Sequence, residues 1–261
     1  MNRVVVITGA SGGIGLAACN AFLADGDRVY GLCRKPFDAK NITFVPCDVT
    51  SRDSVKAAVA AVLEKEGRID VLVSNAGYGI SGSVEFTADA DMKSQFDVNV
   101  FGTVRIISEV LPTMRAQKSG CILITGSLAA VLPIPFQAFY SMSKSSLNAL
   151  AMALINEVRP YSIRVSALMP GDIKTGFTAA RAKSAEGSAA YPKMESAIAV
   201  MEHDEQNGMS PDIIGKKLLK MSKKKHPRPL YTSGAKYHVF AFLCRILPNG
   251  LVCRIIGMLY S

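Results

Sequence analysis

The sequence predicts one α/β domain in which helices cover both faces of a doubly wound, mostly parallel sheet of seven strands, with a C-terminal helical extension. Three observations support this fold class. Apolar, β-branched runs alternate with helix-like stretches, and this alternation is typical of strand–helix–strand units with right-handed crossovers. A glycine cluster directly follows the first of these runs. The chain has 261 residues, of which 49% are hydrophobic, enough for one sizeable core.

The predicted elements follow each other in regular alternation. The strands are Val4–Thr8, Arg28–Cys33, Thr43–Pro46, Val71–Ser74, Cys121–Thr125, Arg164–Leu168 and the less regular Pro229–Thr232. The helices are Gly13–Ala24, Ser51–Glu66, Met92–Lys118 and Gln137–Arg159. Thr50 and Asp53 have the spacing of a capping box at the start of the second helix.

Residues 1–234 are predicted to form the folded domain, and residues 235–261 extend it with an apolar, basic segment. Within the domain, residues 176–209 lack strand character and are rich in Ala, Met, Ser and Glu, so we expect a helical or mobile flap. The extension contains two short helix candidates, Tyr237–Leu247 and Leu251–Tyr260, and each is too short to span a bilayer.

Composition argues against several classes of protein. No apolar run approaches the roughly 18 residues of a membrane span, and the run after Arg3 is too short for a signal peptide, so we expect a cytoplasmic protein. Six cysteines form no C-x-x-C pair, and Cys33, Cys47 and Cys121 lie in apolar runs, which favours buried, reduced thiols. The three histidines are scattered, which argues against a metal site and against histidine-based catalysis.

The net charge of +9 is unevenly distributed, because residues 213–261 hold ten Lys or Arg and no Asp or Glu. The stretch Lys216–Arg228 has neither a nucleic-acid-binding motif nor interleaved aromatic residues, so we expect a solvated helix face and no nucleic-acid partner. Further on, apolar surface lies beside Arg245, Arg254 and the upstream cluster Lys223–Lys225. This combination suits peripheral contact with an anionic membrane, or a helix pair that packs over a cleft or a neighbouring subunit.

A glycine-rich loop connects the first strand to the first helix. Gly9, Gly13 and Gly15 follow the pattern Gly-x-x-x-Gly-x-Gly, and Ser11 and Ile14 lie between them. Where a strand, a glycine turn and a helix N-terminus meet, free backbone N–H groups and the helix dipole attract a phosphate. The loop therefore predicts a dinucleotide-phosphate site, whereas a plain turn would explain the glycines alone.

The end of the second strand indicates which dinucleotide binds. Folds that take NAD usually place an acidic residue here, on the ribose 2′-hydroxyl. In this chain Cys33 is followed by Arg34 and Lys35, and no acidic residue is present. Because Arg34 can form charge-assisted hydrogen bonds with a 2′-phosphate, the sequence favours NADP(H) over NAD(H). A solvated Arg–Lys pair at a strand end is the alternative.

Tyr140 and Lys144 lie one helical turn apart on one face of a predicted helix. A free tyrosine has a pKa of roughly 10. A nearby ammonium group favours the phenolate and lowers that pKa. Tyr140 could then exchange a proton with an alcohol or carbonyl oxygen, and Ser127, thirteen residues upstream, could orient the same oxygen. Taken alone, the pair would also be explained by an exposed helix face.

Together these motifs resemble the short-chain dehydrogenase/reductase family, and they follow the family's order along nearly the whole chain. Asn99 matches the helix asparagine that holds a proton-relay water, and Ser127, Tyr140 and Lys144 match the catalytic serine, tyrosine and lysine. Ser74 departs from the family, which frequently has an asparagine there. Further matches to cofactor-binding residues are Asp48 and Val49, then Asn75, Ala76 and Gly77, and finally Pro170, Gly171, Ile173 and Thr175.

The resemblance implies a Rossmann fold and an oxidoreductase. A hydride would pass between the nicotinamide C4 and a carbonyl carbon, while Tyr140 exchanges the oxygen's proton and Ser127 orients that oxygen. Lys144 would hold the nicotinamide ribose and lower the Tyr140 pKa, and Asn99 would support a water that leads to solvent. Asp48 would meet the adenine ring, or would only cap its own loop.

The segment between Ser127 and Tyr140 borders the substrate in this family. Here it holds no charged residue and consists mostly of apolar residues and proline, which predicts a lipophilic ketone or secondary alcohol, such as a steroid, a retinoid or a long-chain acyl compound. The C-terminal sequence lacks the Val-Asp-Gly-Gly-like turn of acyl-carrier-protein reductases and is more similar to the steroid and retinol dehydrogenases. The expected substrate contacts are Ser127, Pro133, Phe136, Tyr140 and Phe177.

A nicotinamide-sensing regulatory protein on the same scaffold is the alternative to an enzyme. Such proteins commonly lose the tyrosine or the lysine, and this chain has both. The resemblance also implies a homodimer or homotetramer, because the helices that hold Asn99 and Tyr140 commonly pair across a two-fold axis in this family.

Overall fold

A computed structural model of the protein describes residues 2–183 and 186–260. The strands are β1 Val4–Thr8, β2 Arg28–Cys33, β3 Thr43–Pro46, β4 Val71–Ser74, β5 Ile80–Ser81, β6 Gly120–Thr125, β7 Ile163–Pro170, β8 Ala182–Lys183 and β9 Leu230–Ser233. Seven of them form one sheet in the order β3-β2-β1-β4-β6-β7-β9, and all neighbours in it are parallel. The fold class and all seven predicted strands are confirmed, with bounds that agree within two residues.

The helices pack on both faces of this sheet. Those in the described part of the chain are α1 Gly13–Ala24, α2 Arg52–Glu66, α3 Asp89–Phe96, α4 Gly102–Gln117, α5 Ala138–Val158, α6 Met194–Gln206, α7 Pro211–Ser222, α8 Ala235–Ile246 and α9 Asn249–Leu259. The predicted helix Met92–Lys118 is in fact α3 and α4 joined by a π-helical turn, Asp97–Phe101. The helix face expected over Lys216–Arg228 is helical only as far as Ser222, the end of α7, whose Ile214, Leu218 and Met221 are buried.

The sheet separates two apolar layers, as the alternation of side chains along β1 shows. Val4 and Val6 pack among residues of α2, α4 and α5 on one face, while Val5 and Ile7 pack among residues of α1 and α7 on the other. α7 can approach α1 closely because Gly215 has no side chain: a Cβ there would lie 2.3 Å from the Ala17 carbonyl oxygen. Because the strands between the two layers are parallel, their carboxyl ends lie at the same edge of the sheet.

The start of α2 differs from the predicted capping box. The Ser51 hydroxyl accepts a hydrogen bond from the Ser54 N–H at 3.2 Å, so Ser51 is the N-cap. The Thr50 N–H and hydroxyl instead donate to the Asp48 carboxylate, at 2.9 and 2.7 Å. Because Thr50 is engaged in the preceding loop, the capping box that pairs it with Asp53 is wrong.

The predicted flap, residues 176–209, contains α6 and the short strand β8. β8 pairs with β5 in a separate two-stranded sheet, so the expectation that the flap has no strand is wrong. Met194, Ile198 and Met201 of α6 are buried and pack against the segment that precedes α5, at Ile134 and Phe136. The flap residues 184–185 lie outside the described part of the chain.

The C-terminal extension forms two helices, α8 and α9, as predicted. Among the described residues, no helix has both the length and the apolar character needed to cross a membrane. The cluster Lys223–Lys225 lies before β9, at the amino-end edge of the sheet, where Lys223 forms an ion pair with Asp25. α8 begins at the opposite edge, so the predicted grouping of this cluster with Arg245 and Arg254 is wrong.

Candidate active site

A cleft of about 1120 Å³ lies at the carboxyl ends of the central strands. Doubly wound sheets bind their ligands at this edge. Gly15, Asn99, Pro133 and Phe136 are the predicted site residues that do not line it. The predicted residues that do are Gly9, Ser11, Gly13, Ile14, Arg34, Asp48, Val49, Asn75, Ala76, Gly77, Ser127, Tyr140, Lys144, Pro170, Gly171, Ile173, Thr175 and Phe177.

The glycine loop forms a narrow backbone cradle at one end of the cleft. Gly9 has a φ of +66°, and a Cβ there would lie 2.9 Å from the Ala76 Cα. A Cβ on Gly15 would lie 2.0 Å from the Gly9 carbonyl oxygen, so Gly15 shapes the loop from behind without reaching the cleft. No side chain caps the N-terminus of α1, which leaves its first N–H groups for a ligand. Side chains at these glycine positions would fill the cradle. The glycines therefore leave room for the phosphates of a dinucleotide.

Asn75, at the end of β4, fixes the position of the glycine loop. Its N–H donates to the Thr8 hydroxyl at 2.9 Å, and its side-chain amide donates to the Thr8 and Gly9 carbonyl oxygens at 3.2 and 3.3 Å. These bonds join the carboxyl ends of β1 and β4. The Asn-Ala-Gly segment therefore holds the cradle and also lines the cleft.

Charged residues of opposite sign lie where the adenosine half of a dinucleotide would bind. Asp48 caps its own loop through the hydrogen bonds from Thr50, and these bonds hold the pKa of its carboxyl group below the usual value. Asp48 also lines the cleft, so capping does not exclude contact with a ligand. Arg34 and Lys35, at the end of β2, are solvent-exposed and line the cleft as well.

Tyr140, Lys144 and Ser127 meet in the middle of the cleft. Lys144 is buried, its ammonium donates to the Thr125 carbonyl oxygen at 2.9 Å, and its Nζ lies 5.7 Å from the centre of the Tyr140 ring. The Ser127 side chain lies near enough to the Tyr140 phenol to lower its pKa. The structure therefore brings together three of the four predicted catalytic side chains around one point.

The pKa of Tyr140 differs from the prediction. Burial of the phenol raises it to about 12, and the nearby Ser127 side chain only partly opposes this effect. Burial also lowers the pKa of Lys144, to about 8. The expected lowering of the Tyr140 pKa by Lys144 is wrong for this geometry, because desolvation of the phenolate dominates. Tyr140 is consequently a neutral proton donor across the physiological range.

Asn99 lies behind the cleft, in the π-helical turn. Its side-chain oxygen accepts a hydrogen bond from the Tyr78 N–H, and its amide donates to the Tyr78 carbonyl oxygen, each at 3.0 Å. The same amide donates to the Ser143 hydroxyl at 3.1 Å. A Cβ on Gly77 would lie 3.0 Å from the Asn99 oxygen and 3.6 Å from the Lys144 Nζ, so Gly77 lies against both side chains.

The substrate end of the cleft begins at Phe177, whose ring centre is 5.6 Å from that of Tyr140. Pro133 and Phe136, predicted as substrate contacts, do not line this cleft. Phe136 packs instead against Tyr191 and the apolar cluster of α6. Their neighbours Leu132 and Ile134 line the cleft in their place.

A buried polar cluster, which was not predicted from the sequence, lies against Phe177. The Arg181 guanidinium lies 5.5 Å from the Phe177 ring centre and forms an ion pair with Glu205, and the Thr178 hydroxyl donates to Glu205 at 2.6 Å. Glu205 also lines the cleft. A separation of 24 residues between Arg181 and Glu205 carries no local pattern, so the sequence offered no signal for this pair.

The C-terminal helices cover the substrate end. Tyr237 is buried, and its hydroxyl donates to Asp172 at 2.5 Å. A Cβ on Gly171 would lie 2.2 Å from the Tyr237 ring, so α8 packs on the loop that follows β7. The structure shows the helix pair packed over the cleft, one of the arrangements expected from the sequence. The cleft-lining residues of the pair are Lys236, Tyr237, Phe240, Leu243, Cys244, Leu247, Val252, Ile255, Ile256, Leu259 and Tyr260.

Known proteins are similar to this chain in both sequence and fold. The family profile described as short chain dehydrogenase matches residues 3–186. The chain is 35% identical over 229 residues to a 3-ketodihydrosphingosine reductase of Bacteroides thetaiotaomicron, covering 86% of this chain and 85% of that one. It is 34% identical over 189 residues to the human 17-beta-hydroxysteroid dehydrogenase type 1, covering 67% and 58%. A short-chain dehydrogenase structure from Streptomyces avermitilis matches with a TM-score of 0.83 and 27% identity, covering 99% and 95%.

The chain therefore belongs to the short-chain dehydrogenase/reductase family. Members of this family bind a nicotinamide cofactor. This protein is accordingly an oxidoreductase that acts on alcohol or carbonyl groups of small substrates.

Proposed function

We propose that this protein transfers a hydride between NADP(H) and a lipophilic ketone or secondary alcohol, and that it works as a reductase. The position of Tyr140 carries this proposal: a neutral phenol, beside Ser127 and Lys144, lies where a phosphate cradle meets an apolar cleft. A proton donor at this place serves the reduction of a carbonyl group.

The chain's own residues divide the reaction between them. Bound NADPH supplies the hydride to the carbonyl carbon. Tyr140 donates its phenolic proton to the carbonyl oxygen, which the Ser127 hydroxyl orients. Lys144, fixed by its bond to the Thr125 carbonyl oxygen, holds the nicotinamide ribose. Asn99 keeps the backbone at Tyr78 in place and supports the water through which Tyr140 regains a proton.

The adenosine end of the cleft supports the preference for NADPH. Arg34 and Lys35 line it and follow β2 directly, where an NAD-binding chain would have an acidic residue. Both side chains are exposed and can close on a 2′-phosphate, and Arg34 can do so with two parallel hydrogen bonds. Asp48 also lines the cleft and would meet the adenine ring of the bound cofactor.

The substrate end supports a long or bulky apolar substrate. Its walls come from the segment before α5, from Phe177 and from the inner faces of α8 and α9, and they include Leu132, Leu243, Val252 and Ile256. A sphinganine-type ketone and a steroid, the compounds named in the two relatives, both carry a carbonyl or hydroxyl group on a large apolar body. We propose a substrate of this class, with the long-chain ketone as the first candidate.

We further propose that the protein is a cytoplasmic homodimer or homotetramer that contacts membranes only through its C-terminal helices. Exposed apolar side chains on the π-helical turn and on α5 support self-association. Phe101, Met142 and Met152 are 53%, 52% and 48% exposed, and none of them lines the cleft. Burial of such side chains between two copies would remove apolar surface from water.

A panel of ketones tests the proposed function. Short, long-chain and steroid ketones are mixed with the purified protein and either NADPH or NADH, and the loss of nicotinamide absorbance is followed. We expect reduction with NADPH and a KM that falls as the apolar part of the ketone grows. Turnover restricted to small polar or sugar-like carbonyl compounds would contradict the proposed substrate class, and equal rates with both cofactors would contradict the proposed preference.

A further inference from the structure

Apolar side chains on the outer faces of α8 and α9 are unusually concentrated. Half of the large hydrophobic residues that are exposed in the described part of the chain lie on these two helices. On α8, Val239, Phe242 and Ile246 are 56%, 61% and 58% exposed. They are spaced three and four residues apart, so they form one outward stripe. Soluble proteins rarely keep such a patch in contact with water unless it binds something.

α9 carries a second stripe of the same kind. Leu251, Ile255 and Leu259 follow each other at four-residue intervals and are 44%, 38% and 57% exposed. Ile256, which follows Ile255 and lies about a quarter turn from this stripe, is buried. Each helix is therefore apolar on its inner and outer faces, although only the inner face is covered by the rest of the chain.

The mouth of the cleft lies on this patch. Phe240, Ile255 and Leu259 line the cleft and are also 36%, 38% and 57% exposed to solvent, so they form part of its rim. An apolar molecule that reaches the outer stripes would meet the rim without crossing polar surface. The patch and the substrate end of the cleft are thus continuous.

The charges on the two helices themselves have one sign. The two helices contain no Asp or Glu, and their cations are Lys236, Arg245 and Arg254. In the part of the chain that the structure describes, Arg245 and Arg254 form no ion pair, and both are exposed. Apolar stripes flanked by unpaired cations complement the interface of an anionic lipid bilayer. The helices have 12 and 11 residues, lengths that suit lying in the interface rather than spanning it.

We propose that α8 and α9 dock on the surface of anionic membranes and that the lipophilic substrate enters the cleft from the bilayer, between the two helices. This route rests on the proposed function, because it states where the proposed apolar substrate comes from. The outer stripes enter the acyl boundary, Arg245 and Arg254 meet lipid phosphates, and the rim opens towards the hydrocarbon. A substrate with low solubility in water then reaches Tyr140 without leaving an apolar environment.

Docking is tested without substrate. The full-length protein with bound NADPH is sedimented with vesicles of phosphatidylcholine, with or without phosphatidylserine. We expect binding that requires phosphatidylserine and that falls about fivefold for each of Arg245→Gln and Arg254→Gln, the effect of one surface cation. The double variant F242S/I246S should lose binding, whereas V200S/I213S, which changes exposed apolar residues of α6 and α7, should keep it. Absence of vesicle binding by the unaltered protein would overturn the proposal.

Light scattering distinguishes the second possible occupant of the patch, another copy of this chain. If F242S/I246S lowers the molecular mass in solution and the unaltered protein does not bind vesicles, the patch is a subunit interface and the proposal is wrong. An unchanged mass together with lost vesicle binding supports docking on lipid.

Entry from the bilayer is tested by comparing substrates. A long-chain ketone in phosphatidylserine vesicles should be reduced faster by the unaltered protein than by F242S/I246S, while a short soluble ketone should be reduced equally by both. Equal rates on the vesicle-borne ketone would refute the entry route. A protein that binds vesicles but reduces no lipophilic ketone would contradict the proposed function alone, so the two failures can be told apart.

Discussion

Replacing Tyr140 with phenylalanine removes the phenolic proton donor and leaves the surrounding packing in place. The ring still contacts Phe177, and the Ser127 oxygen keeps its hydrogen bond from the Ala129 N–H at 3.2 Å, so no buried group loses its only partner. We therefore expect the fold and the affinity for NADPH to be unchanged. A positioned acid contributes about 10²–10⁴-fold to a rate. The variant should lose that factor in kcat, equivalent to about 3–5 kcal/mol of activation free energy.

Three measurements separate this effect from damage to the structure. Thermal unfolding and NADPH binding, followed by fluorescence, should match the unaltered protein, while turnover of the best ketone of the panel falls. Tyr191→Phe is the matched control, because it removes a phenol that bonds to Glu85 outside the cleft lining. Turnover within a few-fold of the unaltered protein for Tyr140→Phe would refute the assignment of Tyr140 as the proton donor.

Three further changes probe the other parts of the site. Arg34→Asp should weaken NADPH binding about 10-fold to 100-fold, the range for a lost charge-assisted hydrogen bond, and should shift the cofactor preference towards NADH. If the unaltered protein already prefers NADH, the role of Arg34 is refuted. The lowered pKa of Lys144, about 8, predicts that reduction falls as pH rises through 8 and the ammonium loses its proton, and Lys144→Arg should flatten this limb of the pH–rate profile. Tyr237→Ala should lower the free energy of unfolding by about 3–5 kcal/mol and weaken NADPH binding, because the Tyr237 ring packs on the Gly171 loop. Tyr237→Phe should lose only the hydrogen bond to Asp172. Equal effects of the two variants in thermal unfolding would contradict the packing role.

The regular part of the fold is predictable because it depends on local patterns. The runs that became β1, β2 and β4 are mostly apolar, as expected for strands buried on both faces, and their ends coincide with the structure. Residues of the glycine loop and the Tyr140–Lys144 pair were predicted because they are close in sequence, and the strand topology then brings them together. Both line one cleft, and the roles that the family resemblance implies for them stay predictions.

The remaining features depend on tertiary contacts that no local pattern encodes. The pKa of Tyr140 reflects how completely the fold buries the phenol, which outweighs the nearby ammonium. Phe136 looked like a substrate contact because it lies between Ser127 and Tyr140, but packing against α6 turns it away from the cleft. The ion pair between Arg181 and Glu205 joins two ends of the flap. Such contacts between distant residues form only in the folded protein, so the sequence pattern does not predict them.

Transfer of deuterium tests the central claim most directly. NADPH carrying deuterium at the transferable position of nicotinamide C4 is incubated with the protein and a long-chain ketone, and the product is analysed by mass spectrometry. The account predicts a secondary alcohol with one deuterium on the carbinol carbon, formed by the unaltered protein and by Tyr191→Phe but almost absent with Tyr140→Phe. Alcohol without the label, or equal labelled product with Tyr140→Phe, would contradict it.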